Sequence, residues 1–368
     1  MSTVLYRKYR PKSFSELIGQ EHVVKTITNA LLKEAVSHAY LFSGPRGSGK
    51  TTIARLLAKA LNCHNRKKGE FEPCNNCPSC KEIAENRSLD LIEIDAASNR
   101  GIDEIRDLRE GIRFSPAKEK YKVFIIDEAH QLTKEAVNAL LKTLEEPPSH
   151  AVFILATTEI HKMIPTIISR CQRFDFRKLR MDELIKRLEI LSKKEGVEID
   201  KDAFNIIAVN SGGALRDAES LLDQVLAFSG KKKKITGEDI KSLLGIADIN
   251  MASQFTEYIV KKDPGGAIKY LQNIVEKGYD PQEFLKILIQ YMRQALIMKI
   301  NPDITNPIIT GLTEEEQMAI KEQTDGLKEE DIRRTLNLFL EAENRMKYSS
   351  IQQLPLELAI IEIILPKE

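Results

Sequence analysis

The sequence has almost no excess of either charge: 55 Lys and Arg stand against 54 Asp and Glu, a net charge of +1. No global basic field therefore advertises nucleic acid, and any such contact has to come from local placement. No apolar run is long enough to span a bilayer, and the stretch 358–365 is both too short and interrupted by Glu362. Residues 1–10 lack the apolar segment of a signal peptide. A cytoplasmic protein without membrane contact is expected. Five cysteines do not make a disulfide framework in such a chain. No repeat of fixed period and no low-complexity tail is present. What remains, 42% hydrophobic and 30% charged residues, is the composition of an ordinary globular protein. At 368 residues it is too long for one core and long enough for two or three domains.

What is there begins at Gly44-Pro45-Arg46-Gly47-Ser48-Gly49-Lys50-Thr51, which fits G-x-x-x-x-G-K-[ST], the phosphate-binding loop. Glycines let backbone N–H groups curl around an anion, Lys50 reaches the β- and γ-phosphates, and Thr51 offers a hydroxyl to Mg²⁺. Ala39-Tyr40-Leu41-Phe42-Ser43 reads as a buried strand entering the loop. Thr51-Thr52-Ile53 opens a strong helical pattern leaving it, its positive dipole end at the phosphates. A chance match in a glycine-containing turn would not bring that context with it. The chain is expected to bind a nucleoside triphosphate.

Up to about Arg180, strand patterns at 41–42, 91–95, 123–126 and 152–156 alternate with helical ones, which predicts a parallel sheet covered on both faces. Beyond it the strand signal fades into short helices, with Asp182 placed to cap the one carrying Leu184, Leu188 and Leu191. The run Lys231-Lys232-Lys233-Lys234 beside Gly230 fits a solvated loop, with a nucleic-acid or partner patch as the sharper alternative. The last third is helical throughout: Phe284, Leu285, Leu288, Met292 and Ala295 follow helical spacing, and Pro355 suits the first turn of a final helix. Nothing in it looks catalytic. Its apolar faces suit an oligomer as well as a core.

Val123-Phe124-Ile125-Ile126-Asp127-Glu128 is an apolar strand ending in two carboxylates. Asp127 can hold Mg²⁺ through water, and Glu128 can polarise an attacking water. Acidic residues merely capping a strand are the bland alternative. Asp127-Glu128-Ala129-His130 also spells the DEAH box of some helicases, but no second helicase-type core accompanies it; His130 reads as a helix-start or packing residue. Thr157-Thr158 ends the next strand, where a hydroxyl can position water or sense the γ-phosphate, a weak signal alone. In isolation Arg170 reads as a surface ion-pair residue and Arg216 as a solvated helix residue.

Cys63-(x10)-Cys74-x-x-Cys77-x-x-Cys80 supplies four thiolates, the requirement of a structural zinc site closed by four sulfurs with no open position. A redox pair or free thiols are the alternatives. Cys171 stands alone.

Together these motifs resemble the AAA+ ATPases and, more narrowly, the clamp-loader family. The residues that carry the resemblance are Tyr6-Arg7-Lys8-Tyr9-Arg10-Pro11, Ile18-Gly19-Gln20-Glu21-His22-Val23, and His38 through Gly44. Further along they are Asp90 through Ser98, Asn138 through Pro148, and Ser169-Arg170-Cys171, with the cysteine cluster between the loop helix and the next strand. Matches are dense to about Gln224 and thin beyond it. The resemblance implies an α/β AAA+ P-loop domain over residues 1–180 with a zinc insertion at 62–82, a helical lid at 181–247 and an all-helical collar at 248–368. It implies ATP, Mg²⁺ and Zn²⁺ as cofactors.

The resemblance also assigns roles. Arg170 resembles the arginine finger that reaches a neighbouring subunit's ATP, and Arg216 the second sensor. Thr158 aligns with the first sensor, Thr157 being the alternative. Arg7, Arg10, Pro11 and Val23 would lie by the adenine, and the helix after Ser98-Asn99-Arg100 would face the DNA backbone. The implied function is that of an ATPase motor subunit that loads a sliding clamp onto primer–template DNA, in a hetero-oligomeric ring or spiral with other clamp-loader subunits. Polymerase and helicase contacts, made by domains beyond the collar in longer members, are not assigned. The rival readings are a helicase-type motor, opposed by the single ATPase core, and a non-hydrolysing scaffold, opposed by intact Lys50, Thr51, Asp127, Glu128 and Arg170.

Overall fold

The computed structural model describes residues 4–98, 111–112, 114–230, 234–244, 249–300 and 314–365. The chain divides into two compact units, Met1–Ile199 with Ile207–Lys234, and Asp200–Ile206 with Ile235–Glu368. Most of the expected lid thus falls in the first unit with the ATPase core.

The first unit is built on a five-stranded sheet. Its strands are β1 (Ala39–Ser43), β2 (Leu91–Asp95), β3 (Lys122–Asp127), β4 (Ala151–Thr157) and β5 (Gln172–Asp175), in spatial order β2-β3-β4-β1-β5. All pairings are parallel. Parallel neighbours require crossovers, which place helices on both faces and force the central strands to be apolar on both. Every residue of β1 and β4 is accordingly buried.

Alternate side chains divide between two cores. Tyr40 and Phe42 pack with Ile27 and Leu31 of the helix Glu21–Leu32 and with Ile53 and Leu57 of the helix Lys50–Asn62. Leu41, Phe124 and Phe153 pack with Val137, Leu140 and Leu144 of the helix Lys134–Glu145 on the opposite face. The rings of Phe124 and Phe153, partners in register, stack at 5.2 Å. β5 carries no sequence signal of its own: in Gln-Arg-Phe-Asp only Phe174 is buried, as an edge strand allows.

The register brings the functional strand ends together. Ser43 pairs with Thr157 and Asp95 with Asp127, so Gly44, Asp127 and Thr157 all lie at the carboxyl ends of the strands. Gly44 is required there: a Cβ on it would sit 2.4 Å from the carbonyl oxygen of Phe176.

After the sheet, the helices Met181–Glu195 and Leu215–Ser229 complete the first unit. Asp182 is not the cap of the former. The helix starts two residues earlier, after Arg180, whose N–H is held by Glu183 at 2.8 Å while Asp182 occupies the first turn.

The second unit is helical through Ile249–Val260, Pro264–Glu276, Pro281–Ile300, Glu314–Thr324, Glu329–Met346 and Leu354–Ile364. Phe284, Leu285, Leu288, Met292 and Ala295 are buried with Phe255, Leu271, Phe339 and Ile360. Pro355 stands in the first turn of the last helix, where its missing N–H costs nothing. Among the described residues no helix is long and apolar enough to cross a membrane. Lys231, Lys232 and Lys233 of the lysine run, and Asn99 and Arg100 of the proposed DNA-facing segment, lie outside the described residues.

Candidate nucleotide site and cysteine cluster

The phosphate loop is closed on itself by its own polar groups. Lys50, only 6% exposed, donates from Nζ to the carbonyls of Gly44 (2.7 Å) and Pro45 (2.9 Å). Burial pulls the Lys50 ammonium below its usual range, against the opposing charges of Glu128 and Asp127. Ser48 Oγ donates to the Pro45 carbonyl at 2.8 Å. Gly49, at φ +99°, turns the chain into the helix that begins at Lys50.

Thr51 Oγ1 donates to Asp127 Oδ2 at 2.8 Å, so the two residues assigned to Mg²⁺ already meet. The donor set of one hydroxyl and one carboxylate at a phosphate loop fits a hard divalent cation.

Glu128 leaves β3 in the left-handed region, φ +48°, a conformation that costs a non-glycine residue about 1 kcal/mol or more. Its carboxylate is anchored by Thr158, which donates from Oγ1 at 2.8 Å. Thr157 faces elsewhere. It is fully buried, with Oγ1 3.0 Å from His130 Nδ1. The side chain of His130 is 4% exposed and lies 3.5 Å from Glu128 and 3.6 Å from Glu159. Packing alone does not describe this residue, since it spans the carboxylate turn and the end of β4. The tight 3-10 turn Ala129–Gln131 places it there, and the DEAH spelling was the available signal.

The phosphate loop and the two carboxylates open onto a cavity of about 280 Å³. Its walls include the loop from Arg46 to Thr52, Asp127 and Glu128, the N-terminal Tyr6, Arg7, Arg10 and Pro11, Ile18, and Arg216 from the second lid helix. The Arg216 guanidinium lies 4.7 Å from the centre of the Tyr6 ring. Burial lowers the basicity of Arg10, and Arg55, Arg216 and Arg7 add to it against Glu93. Val23 is not in this wall: it is fully buried in the core beneath the sheet face. Arg170 is absent from the wall too. It is 33% exposed and donates to Glu145 Oε1 at 2.7 Å and to the Thr166 carbonyl at 2.8 Å.

Two ion pairs fix the lid beside the cavity. Arg187 and Glu219, both under 10% exposed, join the two lid helices at 2.9 Å, and Arg187 also donates to the Tyr9 carbonyl at 2.6 Å. Arg177 grips Glu183 with two N–H groups at 2.8 and 2.6 Å, and the Arg177 carbonyl accepts from Gln20 at 2.8 Å. The Arg177 guanidinium, despite the cost of burial, holds the Glu183 carboxyl at about 2. A carboxyl depressed in the fold stabilises above its unfolded value, and that contribution is lost as pH falls from about 4.5 towards 2. Glu183→Gln is therefore expected to cost roughly 2–3 kcal/mol at neutral pH, discounted for the part-exposed arginine. The gap to wild type should close in denaturant titrations repeated down to acid pH. A gap that stays constant with pH would contradict this assignment.

Cys63 follows the loop helix, Cys77 caps the helix Pro78–Ala84, and Cys80 lies within it. With Cys74 their sulfurs all lie within 4.8 Å of one another. A tetrahedral zinc–sulfur site places sulfurs roughly 3.8 Å apart, so the cluster fits with a small contraction. Backbone amides already point at sulfur: Cys74 N at Cys63 (3.3 Å), Asn76 N and Cys77 N at Cys74 (3.4 and 3.3 Å). Burial pushes Cys63 and Cys80 up. It also opposes ionisation of Cys74, but there the amides of Asn76 and Cys77 prevail and bring the thiol to about 6. A redox pair needs two sulfurs; the structure brings together four.

The strand order, the loop at the carboxyl end of β1 and the lid beside it define a P-loop domain of the AAA+ class. Three family models divide the chain. DNA polymerase III, delta subunit, matches residues 19–180; the DNA polymerase III clamp loader subunit ATPase lid domain matches 183–231; and DNA polymerase III subunits gamma and tau domain III matches 235–368. The DNA polymerase III subunit tau of Bacillus subtilis is 40% identical over 98% of this chain and 62% of its own length. The DNA polymerase III subunit gamma of Buchnera aphidicola subsp. Schizaphis graminum is 36% identical over 98% of both. Among solved structures, the Thermotoga maritima RuvB Holliday junction branch migration motor is 21% identical over 68% of this chain and 79% of that one, with a TM-score of 0.49. The chain belongs to the DNA polymerase III gamma/tau family. It spans 62% of the length of several of the curated relatives that it matches.

Proposed function

We propose that this chain is the ATPase motor subunit of a replicative clamp loader, part of a DNA polymerase III holoenzyme working in the cytoplasm. ATP bound in the cleft would order a ring or spiral of clamp-loader subunits that opens a sliding clamp and grips primer–template DNA; hydrolysis would release both.

The observation that carries this reading is the division of the catalytic set. Lys50, the Thr51–Asp127 pair and the Glu128–Thr158 pair converge on one cleft, while Arg170 stays on the outer surface. Backbone N–H groups of the loop and Lys50 take the phosphates. Magnesium supplies charge neutralisation when held by Thr51 and Asp127. Glu128 receives a proton from the attacking water, and Thr158 fixes the carboxylate for that task. Arg216, carried by the lid, couples the phosphates to lid position. Arg7, Arg10, Pro11 and Ile18 shape the remainder of the cleft for the base. The four cysteines hold zinc as a closed structural site with no part in hydrolysis.

Clamp-loader and helicase-type readings separate in one assay. The assembled protein should turn over ATP without unwinding a forked duplex in either direction; directional strand separation by the purified chain would favour the helicase reading instead.

A further inference from the structure

Lys59 lies on the helix Lys50–Asn62, which begins at the phosphate loop and ends one residue before Cys63. Its side chain points inward: the residue is 6% exposed, and Nζ donates to Asn75 Oδ1, between Cys74 and Asn76. Asn75 is held in the left-handed region at φ +59° and donates in turn to the Pro73 carbonyl at 3.3 Å. Among the described residues no Asp or Glu pairs with Lys59. The groups whose charge bears on it, once ionised, are Cys80, Cys63 and Cys74, and Lys12 opposes them. A buried ammonium without a counter-charge is strongly unfavourable, and a neutral amide oxygen does not supply one. Four thiolates around one divalent ion carry a net charge of −2, in a site equally short of compensation.

The geometry points to Lys59 as the charge-balancing residue of the cysteine site: its ammonium offsets half of the tetrathiolate's excess charge, through Asn75, and ties the metal to the helix that carries the phosphate loop. This rests on the reading of the cysteines as a zinc site. Lys59 touches no reacting atom and is a positioning residue for the metal. Outer partners of this kind typically change metal affinity by about 10–100-fold.

The test uses the full chain purified without chelator, as wild type, Lys59→Met, Lys59→Gln and Lys59→Arg. Zinc per chain, the rate of zinc transfer to a chromogenic chelator, and melting temperature with and without metal are measured. Lys59→Met and Lys59→Gln should release zinc about 10–100-fold faster, and Lys59→Arg should stay near wild type. Gln keeps a donor for Asn75 without the charge, so a loss in both neutral variants assigns the effect to charge. The melting temperatures give a sign that packing cannot mimic. Neutral variants should melt lower than wild type with zinc bound, and no lower once stripped, because the stripped wild type carries an uncompensated cation. Wild type that neither contains nor takes up zinc would overturn the zinc reading itself. Zinc held at the wild-type rate by both neutral variants, or an equal drop in melting temperature with and without metal, would overturn the role of Lys59 alone.

Discussion

Arg170→Ala should bind ATP in its own loop and lose about 10³–10⁵ of its turnover once assembled, the range an arginine finger contributes by stabilising charge on the transferring phosphoryl group. That factor equals roughly 4–7 kcal/mol of barrier, beyond what a surface ion pair such as Arg170–Glu145 supplies. The geometry of this chain underlies the expectation. Arg170 does not line the cleft of its own subunit, so an arginine finger at this position would reach a phosphate on another copy or another subunit. One surface then supplies the loop and a different surface supplies the finger, a heterologous contact that propagates head to tail into a ring or open spiral. Mixing Arg170→Ala with Lys50→Ala subunits should restore part of the activity, because one mixed interface pairs an intact loop with an intact finger. If mixed assemblies form and stay as inactive as either parent, Arg170 does not act in trans.

Lys50→Ala and Glu128→Gln should fail in different ways. Lys50 is the buried cation of the loop, and its loss should weaken nucleotide binding by roughly 10²-fold, the worth of hydrogen bonds to a charged partner. Glu128→Gln keeps an oxygen to accept from Thr158, so the turn at φ +48° is preserved and only the proton acceptor disappears. Binding should persist, and turnover should fall by about 10²–10⁴. Equilibrium binding of a fluorescent ATP analogue, set beside single-turnover hydrolysis, separates the two. Equal loss of binding in both variants would sink the assignment of roles.

Much of this site was legible before the fold because its chemistry is local. A phosphate loop is eight consecutive residues, a carboxylate turn ends an apolar strand, and four cysteines within eighteen residues need only fold back to meet. What escaped is what tertiary context decides. β5 is an edge strand with one buried residue, so its sequence shows no apolar run. Val23 sits in the resembling N-terminal segment, yet helical periodicity turns it into the core while Ile18 reaches the cleft. Asp182 has the right chemistry for a cap, but Glu183 reaches back to Arg180 and starts the helix earlier. Lys59 carries no sequence signal and His130 only the DEAH spelling; their surroundings come from the cysteine loop and from β4, distant in sequence. Thr158 and Thr157 are neighbours with opposite environments: β4 ends between them, with Thr158 on Glu128 and Thr157 on His130.

That ATP turnover in this cleft serves clamp loading on primed DNA is tested by steady-state ATP hydrolysis of the chain assembled with its partner subunits, measured alone, with sliding clamp, with primer–template DNA, and with both. Turnover should rise when clamp and primed DNA are present together, and Glu128→Gln should abolish that rise while leaving assembly intact. Turnover indifferent to clamp and primed DNA, in an assembly shown to contain this chain, would contradict the claim.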